Sequence, residues 1–416
     1  MSIPSRLASL PALRLVWGMP LLLALACGGS AAPPPEAPPV PAVAADGVLN
    51  VYLVQEGAAP GFSALNLVIQ GVDVQVGGVW RAVPLGGATP GPQAVDLLGA
   101  TSASPCVLAT KVPWPAGAND KVRLSFGPGS TATPAGAGPA QNLVMPAELL
   151  VPMALPGGFK VEPGQVKELV VAVAVGSTVF TDPVDPTRYV FKPTALRGYD
   201  RSATGAIKGR VAAASPVDPG GLPAAIPLGG VTVTAQLQRL STQEGSGLVF
   251  RTAQTGDDGT FTLDLLPLGY TWCAVSQPLA GDQAFGAAAS AGAPLGLAPY
   301  AQAVRDLAPP AVTATGTLQG TLAGPYAADQ VNVVDLVQTF PAGGHPYTFT
   351  IRSADVAPLP GTPAPSGTFS FQGVPPGIYQ AVLNRYDDAA GVGPTRKRYP
   401  TASFEIKAGS TVSIQF

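Results

Sequence analysis

The sequence has very few of the side chains on which catalytic and metal sites most often depend. Its 416 residues include one histidine and three cysteines, and charged residues make up 12% of the chain. Every Ser-His-Asp or Cys-His arrangement would need the single imidazole of His345, and no Gly-x-Ser-x-Gly motif is present. Zinc sites take several His or Cys ligands. We therefore predict that His345 is a loop residue, that the chain is not an enzyme, and that it uses no metal or cofactor.

The chain also lacks an excess of charge of either sign. It has 23 basic and 25 acidic residues, for a net charge of −2. Proteins that bind nucleic acid carry a basic patch that neutralises phosphates, so a nucleic-acid partner is not expected. A short basic run, Arg396, Lys397 and Arg398, lies near the C-terminal end. A solvated loop is the simpler interpretation of this run, and contact with lipid A or phospholipid head groups is the alternative.

Glycine and proline are abundant, with 50 and 47 residues, and 46% of the chain is hydrophobic. Both residue types disfavour long helices, while the apolar content is sufficient for buried cores. Many short strands joined by turns suit this composition better. The predicted fold class is therefore all-β. The length suggests two or three domains, and the alternating pattern and internal repeat described below divide the chain into three consecutive β-sandwich domains.

The N-terminus combines a basic stretch with a short apolar one. Arg6 and Arg14 are followed by the apolar run Leu15–Ala26. This run is too short for a membrane-spanning helix, which needs about 20 residues, and it is typical of a signal peptide. Residues 1–26 are therefore predicted to be a signal peptide.

A cysteine and a proline-rich stretch follow the apolar run. The motif "LALAC" resembles the lipoprotein box of bacterial lipoproteins, and this resemblance implies that Cys27 is lipidated. Gly28 stands where an aspartate would imply retention in the inner membrane, so the resemblance favours an outer-membrane lipoprotein. An ordinary signal peptide with an accidental cysteine is the alternative. Residues 27–46 lack periodicity and are rich in proline, which predicts a semi-extended tether holding the folded domains off the bilayer.

Residues 47–196 have the alternating pattern of a first sandwich. "ALNLVIQGVDVQVGGVWRAV" predicts a hairpin about Gly77-Gly78, and "FKVEPGQVKELVVAVAV" predicts a second hairpin about Pro163-Gly164. The stretch from Val170 to Val175 is apolar on both faces, which predicts a central strand. "PAGANDKVRL" and "YVFKP" resemble motifs of the domain-of-unknown-function 4382 family of bacterial lipoproteins, for which the resemblance implies no known activity.

The remainder of the chain contains an internal repeat. "GTFTLDLLPLG" begins at Gly259 and "GTFSFQGVPPG" begins at Gly367, 108 residues later. A repeat of this period predicts two copies of one structural unit, over residues 203–312 and 313–416. We interpret the repeated fragment as the middle hairpin of a small sandwich. In "VTVTAQLQ", the threonines and glutamines alternate with apolar residues, which predicts a strand with one solvated face.

The order of motifs in the first copy, "GVTVTA", "TGDDGTF" and "LPLGY", resembles the carboxypeptidase regulatory-like, or prealbumin-like, family. The second copy also resembles this family, but its sequence is more diverged. This resemblance implies two non-catalytic sandwiches with a carbohydrate-binding-like fold. It does not by itself imply that the chain binds sugar.

Two acidic pairs are the best candidates for a cation site. Asp257 and Asp258 precede Gly259, and Asp182 and Asp185 belong to "TDPVDPT". Turn formation is the simpler interpretation of both pairs, because aspartate before glycine or proline is typical of turns. Calcium would need about six oxygen ligands, which neither pair supplies alone.

Two cysteines and two of the three tryptophans of the mature chain are also informative. Cys106 and Cys273 fall in separate predicted domains, so free thiols are more plausible than a disulfide, although the envelope would permit one. Trp272 lies in an apolar strand and is expected in a core. Trp114 stands between two prolines and is expected to be exposed, as a possible glycan contact.

The sequence thus predicts a lipid-anchored protein of the cell envelope. Its leading function is that of a non-catalytic binding or spacer module for a glycan, the cell wall or a protein partner. A structural subunit of an outer-membrane complex with no small ligand is the second hypothesis. An enzyme with a carboxylate-only site is the third.

Overall fold

The computed structural model describes residues 46–56, 61–86, 91–136, 138–145, 153–175, 178–182, 185, 187–191, 196–214, 225–239, 247–279, 284–323, 330–342, 345–358, 366–389 and 393–416. These residues form β-strands joined by short turns, with a 3-10 turn at Arg201–Ala203. Within these ranges no helix has the length and apolar character needed to cross a membrane. The predicted all-β class is confirmed.

The first hydrophobic core, core A, lies between two sheets. Its strands are β1 (Gly47–Glu56), β2 (Phe62–Val76), β3 (Val79–Val83), β4 (Gln93–Asp96), β5 (Cys106–Trp114), β6 (Gly117–Phe126), β7 (Thr131–Pro134), β8 (Gln141–Val144), β9 (Met153–Val161), β10 (Val166–Ala174), β11 (Val179–Thr181), β12 (Tyr189–Phe191) and β13 (Leu196–Asp200). One sheet has the order β13-β10-β1-β5. The other follows β11-β12-β8-β7-β2-β6-β9, with β3 and β4 paired to β2.

The predicted Gly77-Gly78 hairpin is confirmed, because β2 and β3 pair across these residues. Both glycines have positive φ, 56° and 85°, which side chains with a Cβ rarely adopt. The central position of β10 is confirmed as well. It lies parallel to β1 and antiparallel to β13, and its residues from Leu169 to Val173 are buried.

The second predicted hairpin, about Pro163-Gly164, is wrong. The turn itself exists, since the Gln165 amide donates to the Glu162 carbonyl at 3.1 Å. However, β9 pairs with β6 in one sheet, whereas β10 pairs with β1 and β13 in the other. The turn therefore carries the chain across the sandwich. Alternation shows which side chains face a core, but it does not show which strand is the neighbour.

Core B is formed by the next twelve strands, again in two main sheets. They are β14 (Thr204–Arg210), β15 (Ala212–Ala214), β16 (Ala225–Pro227), β17 (Thr232–Leu237), β18 (Val249–Gln254), β19 (Thr260–Pro267), β20 (Thr271–Ser276), β21 (Ala284–Phe285), β22 (Ala288–Ala289), β23 (Ala293–Pro294), β24 (Gln302–Val304) and β25 (Ala311–Val312). One main sheet has the order β19-β14-β24, and the other has the order β18-β17-β20-β22.

Core C is formed mainly by the last nine strands. They are β26 (Gly316–Leu322), β27 (Val331–Ala342), β28 (His345–Asp355), β29 (Ala357–Pro358), β30 (Gly367–Val374), β31 (Gly377–Ala389), β32 (Gly393–Pro400), β33 (Phe404–Ile406) and β34 (Thr411–Gln415). One sheet has the order β29-β30-β26-β34. The other has the order β28-β27-β31-β32, with β33 paired to β31.

The repeated fragment is not a hairpin in either copy. In the first copy β19 pairs with β14, while β20 pairs with β17 in the opposite sheet. In the second copy β30 pairs with β26, while β31 pairs with β27. The repeat is therefore an arch between two sheets. Phe261 and Leu263 lie in core B, as the alternation predicts. The prediction is wrong for Leu265, which has a positive φ of 52° and packs in the cluster at the boundary with core A, while Leu266 lies in core B.

Cores A and B meet at a buried ion-pair cluster. The Glu56 carboxylate at the end of β1 lies 2.6 Å from Arg197 Nη1 and 2.8 Å from Arg251 Nη1. Arg251 belongs to β18, so one of the two ion pairs crosses from core A to core B. Around the charges, Tyr199 and Leu265 belong to a small apolar cluster that also crosses the boundary.

Cores B and C meet at the face of β17 that was predicted to be solvated. That prediction is wrong, because Thr234 and Gln236 are 1% and 0% exposed. The Gln236 side chain donates to the Thr350 carbonyl at 2.6 Å and accepts from the Thr350 amide at 2.9 Å. The amide group thus pairs with the backbone of β28 as a neighbouring strand would. A polar face tolerates burial when its partners are polar as well.

Cores A and C also touch. Phe180 on β11 lies with its ring centroid 5.7 Å from that of Tyr386 on β31, and Val331 and Val333 complete the apolar contact. Each core therefore packs on the other two. Residues Ala44–Phe416 accordingly form one compact unit.

Candidate binding surface

The outer face of the sheet β29-β30-β26-β34 is polar and nearly uncharged. Along β26 and β30, the inward residues such as Leu318 and Phe371 are buried, and the residues between them point outward because side chains alternate. The outward residues are hydroxyl and amide side chains. Those that line a shallow cavity on this face are Gln319, Thr321, Thr368, Ser370, Ser413 and Gln415.

Hydrogen bonds hold several of these side chains in place. Gln319 Nε2 donates to Ser413 Oγ at 3.1 Å, which links β26 to β34. Thr317 Oγ1 donates to Gln372 Oε1 at 2.9 Å, which links β26 to β30. Gln372 Nε2 in turn donates to Ser370 Oγ at 3.0 Å. The polar groups are thus fixed on a rigid sheet rather than carried on a loop.

The cavity has a volume of about 800 Å³, and the side chain of Asp355 at the end of β28 lies at its margin. Asp355 keeps an exposed surface, while the cavity walls remove part of its hydration and raise the pKa of its carboxyl to about 6. Ionised carboxylates and amides are strong partners for the hydroxyl groups of a ligand.

This arrangement suits binding better than chemistry. Glycoside hydrolysis uses two carboxyl groups about 5–10 Å apart, and Asp355 is the single carboxylate among the described residues that line the cavity. The other polar lining groups are hydroxyls and amides, which donate and accept hydrogen bonds without titrating. Such groups can donate hydrogen bonds to, and accept them from, the hydroxyl groups of a polar molecule.

Trp114, expected to be an exposed platform, is buried instead, at 3% exposure. Its indole Nε1 donates to Asn119 Oδ1 at 2.9 Å inside core A. The flanking prolines favour exposure, but Trp114 ends β5 and pairs with Gly47 at the start of β1. Its indole therefore offers no face to a ligand. The expectation for Trp272 is confirmed, because this side chain is 1% exposed in core B.

The basic run lies on a strand rather than on a loop, which corrects the prediction. Arg396, Lys397 and Arg398 belong to β32, an edge strand that pairs with β31. Lys397 is exposed, and Arg398 is half-buried. The sequence does not indicate this strand, because "TRKRYP" begins with four consecutive polar residues and lacks alternation of polar and apolar side chains. The head-group hypothesis for this run stays a prediction.

The acidic pairs have the geometry of turns. Asp258 Oδ1 accepts from the amide and the hydroxyl of Thr260 at 3.0 and 2.7 Å, and these bonds lower the pKa of the Asp258 carboxyl. Asp257 beside it is exposed. Asp182 is buried and lies 2.6 Å from Arg188 Nε, and Asp185 accepts from Thr187.

None of these aspartates approaches a set of metal ligands. In the described ranges there is no group of three or more His, Cys, Asp or Glu residues that could hold a metal ion.

The other residues singled out in the sequence are two cysteines, the histidine and the predicted lipidated cysteine. Cys106 and Cys273 are free thiols, as predicted, and burial raises the pKa of both, to about 12 for Cys273. His345 is exposed, but it begins β28 opposite Ala342 rather than lying in a loop, which corrects that prediction. Cys27 and the tether up to residue 45 lie outside the described residues.

Sequence reasoning missed the polar face of core C. A signal was present, because "TGTLQGTL" and "STVSIQF" alternate hydroxyl or amide residues with apolar ones. What it could not show is that β26 and β34 are parallel neighbours, with Gln319 opposite Ser413. Only this pairing gathers the two polar rows into one surface.

No protein-family model matches the chain, and no curated protein matches its sequence. The resemblances to the 4382 and carboxypeptidase regulatory-like families therefore stay predictions.

Among solved structures, the chain is similar to the Bacillus anthracis TIE protein at 11% identity, over 89% of this chain and 50% of that chain, with a TM-score of 0.18. It is similar to GBS52, the minor pilin of Streptococcus agalactiae, at 14% identity, over 51% of this chain and 94% of that one, with a TM-score of 0.18. A putative cell adhesion protein from Bacteroides ovatus has 9% identity over 51% of this chain and 93% of its own, with a TM-score of 0.19. The chain thus spans half the length of the TIE protein.

Proposed function

We propose that this chain is a lipid-anchored protein of the cell envelope whose folded part is a non-catalytic module. In this proposal the module displays the polar face of core C toward a neutral glycan. The observation that carries the ligand class is the polar face of core C, whose lining has one carboxylate among hydroxyl and amide groups. The fixed display is supported by the buried contacts that join the three cores, at Glu56, Gln236 and Phe180. Domains that move independently usually meet through small, solvated interfaces.

The buried charges make this joining specific. Glu56 is 3% exposed and contacts a guanidinium group on each side of the boundary between cores A and B. A small displacement of one core against the other would leave these charges buried and unpaired, at a high cost. The unit is therefore suited to hold one surface at a set distance and orientation.

The anchor is tested by changing Cys27 to Ser in the full chain. We expect the native protein in the membrane fraction and the Cys27→Ser protein in the soluble envelope fraction, because several acyl chains anchor stably. Cys106→Ser is the matched control, since it removes a thiol from core A and leaves the anchor intact. Cys27→Ser protein that stays with the membranes would contradict the anchor.

The ligand is tested with an array of neutral glycans. We expect binding that is lost on changing Gln319 and Ser413 together to alanine, because this pair spans two strands of the polar face. Gln254→Ala is the control, as Gln254 is an exposed glutamine on β18 of core B. If the native protein binds no glycan on the array, the ligand proposal is contradicted. Recovery of a stable partner protein from envelope extracts would then favour the structural-subunit hypothesis.

A further inference from the structure

One end of the folded unit can be identified as the end that the tether enters. The described chain begins at Asp46, whose carbonyl accepts from the Gly164 amide at 3.2 Å. The first residues of β1 lie beside the first residues of β10, since Val48 is opposite Val166. We call this the tether end.

The hairpin between β2 and β3 belongs to the same end. Gly47 is opposite Trp114 at the end of β5, and β6 begins three residues later at Gly117. The Gly77 amide donates to the carbonyl of the next residue, Ala118, at 3.3 Å. The Gly77–Gly78 turn therefore lies near the start of β1.

Two loops of core B reach the tether end as well. Arg201 in the 3-10 turn lies 3.4 Å from Glu168, near the start of β10. The Leu268 amide donates to the carbonyl of Ala203 in the same turn at 3.3 Å. The corner at residues 268–270 is thus placed beside the start of β10. The loop at residues 295–300 lies against that corner, because the Gly269 amide donates to the Leu295 carbonyl at 2.8 Å.

Large apolar side chains are exposed around the tether end. Half of the strongly exposed large hydrophobic residues of the described chain lie on these segments, at Val79 (62%), Val166 (61%), Tyr270 (45%), Leu297 (82%) and Tyr300 (57%). Scattered exposed apolar residues are normal in soluble proteins, whereas a gathered set indicates an interaction surface.

The composition of this set fits a lipid surface. Tyrosine has an apolar ring and a hydroxyl that stays hydrated, so it is enriched where a bilayer meets water. Leu297 and Tyr300 project from one short loop, and Tyr300 adopts an αL backbone with φ of 57°. Six of the charged side chains near the tether end form three ion pairs, at Lys160–Glu162, Lys167–Asp200 and Arg201–Glu168. Paired charges neither attract nor repel an anionic membrane strongly.

We propose that the tether end is a second membrane contact, in which Leu297 and the tyrosines beside it enter the interface of a phospholipid bilayer. This inference rests on the proposed anchor at Cys27. The roughly 20 residues from Cys27 to Asp46 keep the tether end within reach of the bilayer. A short tether also raises the local concentration of the loop at the lipid surface, so a weak contact is sufficient. The module then lies on the membrane instead of being held off it.

The test uses the full lipidated chain on vesicles of phosphatidylethanolamine and phosphatidylglycerol. Leu297→Trp places a fluorescent side chain at the loop tip, where 82% exposure means that no packing is disturbed. Val107→Trp is the matched control, because Val107 is also exposed, at 49%, but lies on β5 of core A opposite Tyr52, away from the start of β1. Phospholipids brominated near the carbonyl end of the acyl chain quench tryptophan that reaches them.

We expect the tryptophan introduced by Leu297→Trp to be quenched about threefold more strongly than the one introduced by Val107→Trp, because interfacial side chains lie roughly 5–10 Å into the boundary between head groups and chains. Vesicle-bound protein with equal quenching in both variants would overturn the membrane contact and leave the anchor standing. Protein that fails to bind the vesicles at all would overturn the anchor and the contact together.

Discussion

Glu56 and Arg251 form an ion pair of 2.8 Å, and both side chains are nearly inaccessible to water. Glu56 ends the first strand of core A, and Arg251 lies on a strand of core B, 195 residues later in the chain. Arg251 Nε also donates to the carbonyl of Asp264 at 3.0 Å, so this buried N–H group has a hydrogen-bond partner as well. The boundary between the two cores therefore combines buried, paired charges with an apolar cluster.

Removal of the Glu56 charge should be strongly destabilising. Glu56→Gln leaves the buried Arg251 and the half-buried Arg197 without a counter-charge, and breaking a buried pair typically costs about 3–5 kcal/mol in the free energy of unfolding. Urea denaturation followed by tryptophan fluorescence measures this cost. Glu162→Gln is the control, because Glu162 pairs with Lys160 at the surface and should change stability by less than about 1 kcal/mol. Equal midpoints for both variants would contradict the role of the buried cluster.

The amide of Gln236 should be needed for the contact between cores B and C. Gln236→Leu fills a similar volume but leaves the amide and carbonyl of Thr350 without their partners. Two unsatisfied buried groups should lower the free energy of unfolding by about 2–4 kcal/mol. Hydrogen exchange at the Thr350 amide should accelerate in the same variant. Gln254→Leu, at an exposed position of β18, should leave both measurements unchanged.

Stability should depend on pH through Asp355. Its pKa is raised from 3.8 to about 6 in the folded protein, so the folded state binds the proton more tightly than the unfolded chain does. Stability due to this group is therefore present below pH 3.8 and lost as the pH rises to about 6. Asp355→Asn should be the more stable form at pH 7.5, by about 1 kcal/mol after discounting for solvent screening, and equal to the native protein near pH 4. Thermal unfolding at the two pH values measures this, and a difference that persists at pH 4 would contradict it.

The two thiols should differ in reactivity. Burial raises the pKa of Cys273 to about 12, and it raises the pKa of the half-buried Cys106 less. Because the thiolate is the reactive form, a disulfide reagent at pH 8 should modify Cys106 slowly and Cys273 only after unfolding. Thiol titration of Cys27→Ser protein, with and without urea, measures this. In the double variant Cys27→Ser, Cys106→Ser, Cys273 is the remaining thiol, so the folded protein should not react with the reagent. A rapid reaction of the folded double variant would show that Cys273 is accessible and would contradict the prediction.

Much of the fold could be predicted because strand alternation is a local property. The inward positions of Phe261 and Leu263, the Gly77-Gly78 hairpin and the central place of β10 all follow from residues within one short window. Pairing between strands is not local. The Pro163-Gly164 turn and the repeated fragment were therefore interpreted as hairpins, although each connects two opposite sheets.

The candidate surface was harder to predict than the cores. Trp114 was expected at the surface, but a backbone pairing with β1 and a bond to Asn119 keep it inside. The residues that do form the polar face, such as Gln319 and Ser413, are 94 positions apart and carry no catalytic signature. A surface made of common polar residues has no sequence motif, because strand pairing brings together residues that are far apart in the sequence.

The sequence by itself determined the all-β class, the inward side of each strand and the turns that glycine requires, since these depend on side-chain polarity and backbone freedom over a few residues. The tertiary structure alone decided which polar strand faces are buried against another core and which remain exposed to solvent. Gln236 alternates as a solvated residue would, and it is buried because the backbone of Thr350 lies against it. Hydrophobic patterning separates inside from outside for one sandwich, but the contact of one sandwich with the next depends on the shape and hydrogen-bonding groups of both surfaces.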